Sequence, residues 1–414
     1  MINISLITIG NELLKGRIIN TNASKAGEML RNHGYTLSRV VTISDEKEAI
    51  KNAVTQEMAS HDVVLISGGL GPTKDDITKH TLAELFQTEL EMHPPTVAFL
   101  EERYKKWGRP MTKLTALQAL LPKACEVVEN PKGTAPGMLF RQDGKMVFSM
   151  PGVPFEMFHM LEFGVLPRIK AEFPTDVFLH KILRLSDIPE SVAAERMESI
   201  DTQFPDEISV AYLPRHDGLW IELSITMPKS RTTEAELILD EYTALVAALF
   251  KDKLYARGDQ PMAKELADLM LKKRLTLAVA ESLTGGRVSA KIVEISGVSK
   301  FYKGSVTAYA TEIKAKVLGV PWPIIHEHGV DSEPVARAMA EGVRKLLDAD
   351  IGLATTGLAE ADGDKRPHAW FGYADEYGSD AFHVDFLHDR EVNIERAAYH
   401  AIRLGLKNIQ ARFE

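Results

Sequence analysis

The sequence predicts an α/β protein of three domains. Short apolar runs that stop at glycine or proline alternate with amphipathic helical stretches, the pattern of strands joined by helical crossovers. That pattern fills the first third of the chain, gives way to a different order over residues 175–255, and resumes after Gly258. The length of 414 residues suits two to three domains of about 100–200 residues, each with its own core. The expected bounds are 1–173, 174–257 and 258–414.

In the first domain, residues 3–9 read as an apolar strand stopping at Gly10. Residues 22–33 read as a helix with Ala23, Ala26, Met29 and Leu30 on one face. Residues 62–67 (DVVLIS) are apolar almost throughout, as a strand covered on both faces of a parallel sheet should be. They run straight into Gly68-Gly69-Leu70-Gly71-Pro72-Thr73. A further strand, 146–150, is stopped by Pro151-Gly152. Met157, Phe158 and Met160 are read as helix packing residues.

In the middle, 178–185 is strand-like. Residues 189–200 are helical, with proline in the first turn, where its missing N–H costs nothing. Residues 207–213 and 219–227 flank His216-Asp217-Gly218, a hairpin signal. Leu219, Ile221, Leu223 and Ile225 alternate with polar neighbours, so that strand has one buried face. Residues 232–250 form a helix. The last third reads as helix 262–273, strand 275–280, helix 287–295, helix 333–347, strand 351–355 and closing helix 393–408.

Composition bounds the function. The chain is 45% hydrophobic and 26% charged, which excludes disordered, collagen-like and coiled-coil classes. Its 49 Lys and Arg against 58 Asp and Glu leave a formal charge of −9. That argues against a protein built to grip nucleic acid or anionic membrane, though a local basic patch stays open. Cys125 is the single cysteine, so neither an intramolecular disulfide nor a cysteine-based zinc site can form. No apolar run reaches the ~18 residues of a membrane span. The first residues lack the basic start of a signal peptide, so a cytoplasmic location is expected. Neither a P-loop nor the strand-G-x-G-x-x-G-helix dinucleotide fingerprint is present.

Two motifs carry chemistry. In GGLGPTKDD (68–76), the glycines let the backbone approach a ligand closely. Their N–H groups and the following helix start would cradle phosphate. Asp75 and Asp76 suit a hard divalent cation bridging to phosphate oxygens. The plainer reading is a tight turn with an acidic N-cap. Gly10-Asn11-Glu12 and Pro151-Gly152-Val153-Pro154-Phe155-Glu156 also end strands. Ligands of open α/β sheets bind at the carboxyl ends of strands, so the three loops should converge.

In ESLTGG (281–286), Ser282 is either a nucleophile or a helix N-cap. Gly285 and Gly286 offer N–H groups for an oxyanion or a phosphate. A buried Lys314 with a lowered pKa could take the serine proton, and Tyr309 could relay it or support the oxyanion. The plainer reading places both on a helix surface. His326 and His328 read as a solvated turn before Gly329 rather than a metal site.

Thr8-Ile9-Gly10-Asn11-Glu12-Leu13-Leu14, Gly16, Thr21-Asn22, GGLGPTKDD, Asn130-Pro131-x-Gly133-Thr134-Ala135-Pro136-Gly137 and PGVPFE together resemble the CinA family (competence/damage-inducible protein CinA). The resemblance implies a three-layer domain similar to the molybdopterin-binding fold. It also implies hydrolysis of ADP-ribose at its pyrophosphate with a divalent cation, Co2+ or Mg2+, with K+ a further candidate. Asp75 and Asp76 would hold the metal, and Glu156 or Glu12 would be a second ligand or general base. Gly10, Asn11, Asn22, Gly68, Gly69, Gly71, Pro72, Thr73, Gly133 and Thr134 would border the substrate. Two departures stand out. The family usually reads Gly-Asp-Glu and Asp-Thr-Asn where this chain has Gly10-Asn11-Glu12 and Asn20-Thr21-Asn22. An amide keeps the shape but binds metal more weakly and cannot act as a base.

The last domain is similar to the CinA carboxy-terminal domain. ESLTGG, Gly297-Val298-Ser299-x-Phe301-x-x-Gly304-x-Val306-x-x-Tyr309-x4-Lys314, Leu318-Gly319-Val320 and Ser332-Glu333 carry the likeness. It implies hydrolysis of nicotinamide mononucleotide to nicotinate mononucleotide and ammonia. Ser282, Tyr309 and Lys314 would be catalytic, with Thr284, Gly285, Gly286, Thr356, Gly357 and Arg390 on the substrate. After Thr356-Gly357-Leu358-Ala359 the chain departs from the family's Gly-Pro-x-Gly-Gly. It loses two glycines and gains acids, of which Asp362 and Asp364 would repel a phosphate. Arg390, which could clamp phosphate, is kept, so deamidation stays an open expectation.

The middle unit resembles the family's KH-like α+β segment. Residues 186–200 contain no glycine, so the GXXG clamp of nucleic-acid-binding KH modules is missing and no nucleic-acid partner is expected. A spacer or dimer contact is the expectation, in a homodimer acting on small nucleotides away from membranes. The competing readings are a non-catalytic nucleotide- or molybdopterin-binding protein with a retired last domain, and a scaffold linked to DNA uptake or damage, suggested only by the family's name.

Overall fold

The computed structural model describes residues 2–73 and 76–413. Its first sheet contains β1 (Ile4–Ile9), β2 (Leu37–Ile43), β3 (Val63–Ser67), β6 (Glu126–Val128), β7 (Gly137–Gln142) and β8 (Lys145–Met150); β4 (Leu90–Met92) and β5 (Leu120–Pro122) pair apart from it. The order is β2-β1-β3-β8-β7-β6, parallel through β8 and antiparallel beyond.

Every residue of β1 and β3 is buried, because the sheet is covered on both sides. Ile4, Leu6, Val63 and Leu65 enter one core with Leu30, Phe148 and Met157. Ile7, Ile9, Val64 and Ile66 enter another with Ile50, Val54 and Leu82. Alternation along a strand thus sorts its residues between two cores and makes three layers. β7 and β8 are joined by Asp143-Gly144, with φ of 52° and 74°. That is the left-handed pair a tight hairpin turn requires.

The helix Thr21–Asn32 starts on Asn20, whose side chain accepts from the Ala23 N–H at 3.1 Å. The same amide donates to Thr8 Oγ1 at 2.9 Å. The departure from aspartate therefore has a structural use, since a carboxylate could cap but not donate.

A second sheet, β10-β11-β9-β12, comprises β9 (Val177–Leu185), β10 (Ile208–Arg215), β11 (Gly218–Met227) and β12 (Leu254–Arg257). Leu219, Ile221, Leu223 and Ile225 are all buried, as their alternation predicts. The helix expected over 189–200 is shorter, Glu190–Met197, and begins directly after Pro189.

The third sheet, β14-β13-β15-β16-β17, is formed by β13 (Leu277–Glu281), β14 (Tyr302–Thr307), β15 (Ile351–Leu358), β16 (His368–Asp375) and β17 (Gly378–Asp385). Its first three strands are parallel and its last two antiparallel. The helix Glu333–Leu346 lies so close that a Cβ on Gly352 or Gly372 would come within 2.1 Å of the Ala340 or Ala336 carbonyl oxygen. His326 and His328 belong to the last turn of a helix, Trp322–His328, rather than to a turn, and the His326 ring stacks on Trp322.

By compactness the chain divides into residues 1–179 with 225–237, and residues 180–224 with 238–414. No helix among the described residues is long and apolar enough to cross a membrane. Burial pushes the Cys125 thiol up to about 11, which keeps it protonated at neutral pH.

Asn20→Ala should destabilise the protein by about 1–2 kcal/mol in urea unfolding. Asn20→Asp, which keeps the cap and loses the donations to Thr8 and Thr42, should cost less.

Candidate functional site

The first candidate centre lies where β1, β3 and β8 end side by side. Thr8 pairs with Ser67, and Ser67 with Met150. The loops that follow meet closely. A Cβ on Gly68 would fall 2.5 Å from the Ile9 carbonyl oxygen, and one on Gly152 would fall 3.3 Å from the Gly68 Cα. Gly68 also has φ of 121°, which side-chain-bearing residues rarely adopt. Asn22 ties the loops together, its amide donating to Ser67 Oγ at 2.9 Å and to the Gly152 carbonyl at 2.8 Å. The Asn22 Oδ1 is buried with no hydrogen-bond partner among the described residues.

Of the three glycines expected to cradle phosphate, Gly68 has its N–H bonded within the protein. The Gly10 N–H donates to Ile43 O, Gly68 to Met150 O, and Gly133 to Asn130 Oδ1. These donors are taken within the protein and are not open to phosphate. What the glycines supply is room for carboxylates. A Cβ on Gly10 would lie 2.6 Å from Glu12 Oε1, one on Gly71 2.3 Å from Asp76 Oδ2, and one on Gly133 1.8 Å from Glu156 Oε2.

Glu156 is held by Asn130, whose amide donates to its Oε2 at 2.7 Å and to the Ala135 carbonyl at 2.8 Å. The Asn130 carbonyl oxygen accepts from the Gly133 and Lys132 N–H groups. The backbone N–H of Asn11 donates to Asp45 at 2.9 Å, a bond that does not depend on its side chain. Pro72 and Thr73 are exposed on the loop, and Thr134 is half-buried.

Asp75 lies outside the described residues. Asp76 accepts from the Thr73 N–H and hydroxyl, both on Oδ2, at 3.0 and 2.6 Å. That leaves Oδ1 for a cation. Among the described residues, no three His, Cys, Asp or Glu side chains gather to hold an ion. This donor set fits a hard cation held by one or two carboxylates and shared with substrate oxygens, rather than one caged by protein alone.

The second candidate centre lies at the parallel ends of β14, β13 and β15, where Glu281 pairs with Thr307 on one side and Thr355 on the other. The next residue, Ser282, is 8% exposed, and its N–H donates to Thr355 O and Oγ1 at 3.0 and 3.2 Å. It is not the helix N-cap, since the helix Arg287–Val293 starts after Gly286. The capping group is the fully buried Glu281 carboxylate. It accepts from Thr284 Oγ1 (2.8 Å) and the N–H groups of Gly286 (2.9 Å), Val288 (3.1 Å) and Ser289 (2.9 Å), and from Ser289 Oγ (2.6 Å). The negative charge sits where the helix dipole favours it. The Gly285 N–H donates to Ser282 O. The expected cradle at Gly285 and Gly286 is therefore already filled from within.

Lys314 is not a surface residue; it is 2% exposed. Its Nζ donates to Thr356 Oγ1 at 3.2 Å and approaches Met339 Sδ at 3.7 Å. Burial pushes its ammonium down to about 8, partly opposed by the Asp331 carboxylate. Asp331 also pairs with His368 at 3.2 Å. Tyr309, by contrast, is 61% exposed, and its hydroxyl accepts from Arg390 at 3.1 Å. Arg390 also donates to Glu360 at 2.8 Å. The phosphate clamp expected at Arg390 thus holds an acid from the divergent loop. That loop closes on itself through paired backbone bonds between Asp362 and Lys365. A Cβ on Gly357 would fall 2.3 Å from the His368 carbonyl oxygen, so this glycine permits the close approach of β16.

The sequence reading assigned no role to Asn130, Glu281, Asp331, Glu360 or His368. A buried acid that caps a helix from the preceding strand leaves only a weak signal, an acid immediately before a glycine-rich turn. The other four act through partners 17 to 37 residues away, and no local pattern shows them.

Glu281→Ala should leave buried N–H groups without partners and cost about 3 kcal/mol in urea unfolding. Glu281→Gln, which keeps an accepting oxygen, should cost clearly less.

Two family descriptions match the chain: "Probable molybdopterin binding domain" over residues 5–171 and "CinA C-terminal domain" over residues 259–409. A CinA-like protein of Flavobacterium psychrophilum is 35% identical over 414 residues, covering 98% of each chain. A CinA-like protein of Gemmatimonas aurantiaca is 37% identical over 365 residues, covering 87% of this chain and 85% of its own. The crystal structure of CinA from Thermoplasma acidophilum is 37% identical, covers 41% of this chain and 96% of its own, and gives a TM-score of 0.36. With a relative this similar from end to end, the chain belongs to the CinA family.

Proposed function

We propose that the chain is a two-centre hydrolase of nucleotides. The first centre splits the pyrophosphate of ADP-ribose to release AMP. The second hydrolyses the amide of nicotinamide mononucleotide to nicotinate mononucleotide and ammonia.

One observation carries the reading furthest: a lysine, Lys314, buried beside Thr356 at the strand ends where Ser282 also lies. A buried lysine with a lowered pKa is a competent base near neutral pH. Neutral Lys314 takes the Ser282 Oγ proton as Oγ attacks the amide carbon. The tetrahedral oxyanion collapses, ammonia leaves with that proton, and water releases the acyl group. Arg390 must exchange Glu360 for the substrate phosphate.

In the first centre, a divalent cation supplies charge neutralisation at the pyrophosphate, with Asp76 and Asp75 as its proposed carboxylates. Glu156, aimed by Asn130, is the proposed base that takes a proton from the attacking water. Asn22, with an unpartnered buried oxygen, is the proposed contact to a substrate hydroxyl.

Incubation with ADP-ribose and Co2+ or Mg2+ should release AMP, and Asp76→Ala should abolish that release. Tight binding of ADP-ribose without turnover would favour the binding-protein reading.

Ammonia release from nicotinamide mononucleotide should disappear in Ser282→Ala and in Lys314→Met. Because Lys314 must be neutral to act, the rate should rise about tenfold per pH unit below about 8 and level off above it. Equal inactivity of the parent and Ser282→Ala would mark the last domain as retired.

A further inference from the structure

We propose that a cavity of about 400 Å³, formed by residues 187–190, the hairpin 214–219 and one face of the helix Arg390–Arg412, binds a mononucleotide at a site separate from both proposed centres. None of its lining residues belongs to either centre. The inference does not depend on turnover at either one.

The helix contributes Arg396, Tyr399, His400 and Arg403, spaced i, i+3, i+4 and i+7, which places them on one face. The charges are unevenly satisfied. Arg403 is paired with Asp187 at 3.0 Å and donates to His400 Nδ1 at 2.8 Å. Asp217 is engaged by Trp220 Nε1 at 3.1 Å and the Tyr255 hydroxyl at 2.9 Å. Arg215 and Arg396 have no carboxylate partner among the described residues. Arg215 lies 5.3 Å over the Trp220 ring, and Arg396 donates to His388 Nε2 at 2.8 Å. Two guanidinium groups without an acid thus stand on different walls of one cavity, one on the hairpin and one on the helix.

The helix Glu190–Met197 also begins at this cavity, with no side-chain cap on its first turn. Guanidinium forks and helix N-termini both bind phosphate. Two lining acids have no cation partner among the described residues: Asp217, which is held by Trp220 and Tyr255, and Glu190, which is exposed at the rim.

Besides His216, the rest of the lining is mainly apolar, with Ile188, Pro214, Leu219 and the Tyr399 ring, which carries the Lys291 ammonium on one face. A lining that sets apolar side chains and one aromatic ring beside two guanidinium groups without an acid suits a molecule that carries both a flat base and a phosphate. The volume lies near the lower end of the ~300–1,000 Å³ range of small-molecule sites, which favours one nucleotide over a dinucleotide.

The test is calorimetric titration of the full chain with AMP, in the parent, in Asp76→Ala and Ser282→Ala, and in Arg215→Gln and Arg396→Gln. A binding step should persist in Asp76→Ala and Ser282→Ala. It should weaken at least tenfold in Arg215→Gln and in Arg396→Gln, whose circular dichroism should match the parent. In the parent, adenosine and inorganic phosphate should each bind at least tenfold more weakly than AMP. The proposal fails if no step survives in Asp76→Ala and Ser282→Ala, or if the arginine variants bind AMP as the parent does. It also fails if phosphate alone matches AMP, which would make this an anion site with no preference for a nucleotide.

Discussion

Three carboxylates of the first domain lie where an ordinary residue would place its Cβ. Carboxylate oxygens of Glu12, Asp76 and Glu156 lie 2.6, 2.3 and 1.8 Å from the Cβ that Gly10, Gly71 and Gly133 lack, so a side chain at any of these glycines would push the acid aside. This steric allowance is the constraint on which the centre depends. Strands β1, β3 and β8 end together, so their loops compete for one small volume. Bare backbone lets the acids keep these positions. The N–H groups of Gly10, Gly68 and Gly133 are bonded inside the protein, which stiffens the loops rather than leaving them to fold around a ligand. Glu156 and Asp76 are therefore held by Asn130 and Thr73 before any substrate arrives, whereas Glu12 is exposed.

The last domain solves a related problem with opposite charges. Glu281 and Lys314 are both buried at the ends of neighbouring parallel strands or beside them. A buried charge is tolerated only when it is well bonded. Glu281 meets five donors and closes the start of a helix. Lys314 meets one hydroxyl and a sulfur, with Asp331 as its electrostatic partner. The well-satisfied charge is structural. The poorly satisfied one is displaced toward its neutral form, and such displaced groups are the ones suited to proton transfer.

Much of this was legible along the chain. The fully apolar runs at β1 and β3 mark strands covered on both faces. The helix Met262–Lys273 occupies the residues its periodicity indicates. The hairpin of β16 and β17 was not anticipated, because Glu376-Tyr377 between them lacks the usual turn residues. The Asp143-Gly144 turn between β7 and β8 was readable and went unused. Lys314 shows why the site was harder than the fold: its spacing from Tyr309 suits a surface helix, and its burial comes from Met339 and Thr356, residues distant in sequence.

The sequence by itself determined the α/β class, the chemistry-bearing loops and the family, because periodicity and glycine spacing are local properties. It could not determine which polar groups already have partners. Gly286 and Arg390 read as ligand contacts, yet one is bonded by Glu281 and the other by Glu360. Whether a donor is open to a ligand depends on every acceptor that folding brings near it. Only the tertiary structure decides that.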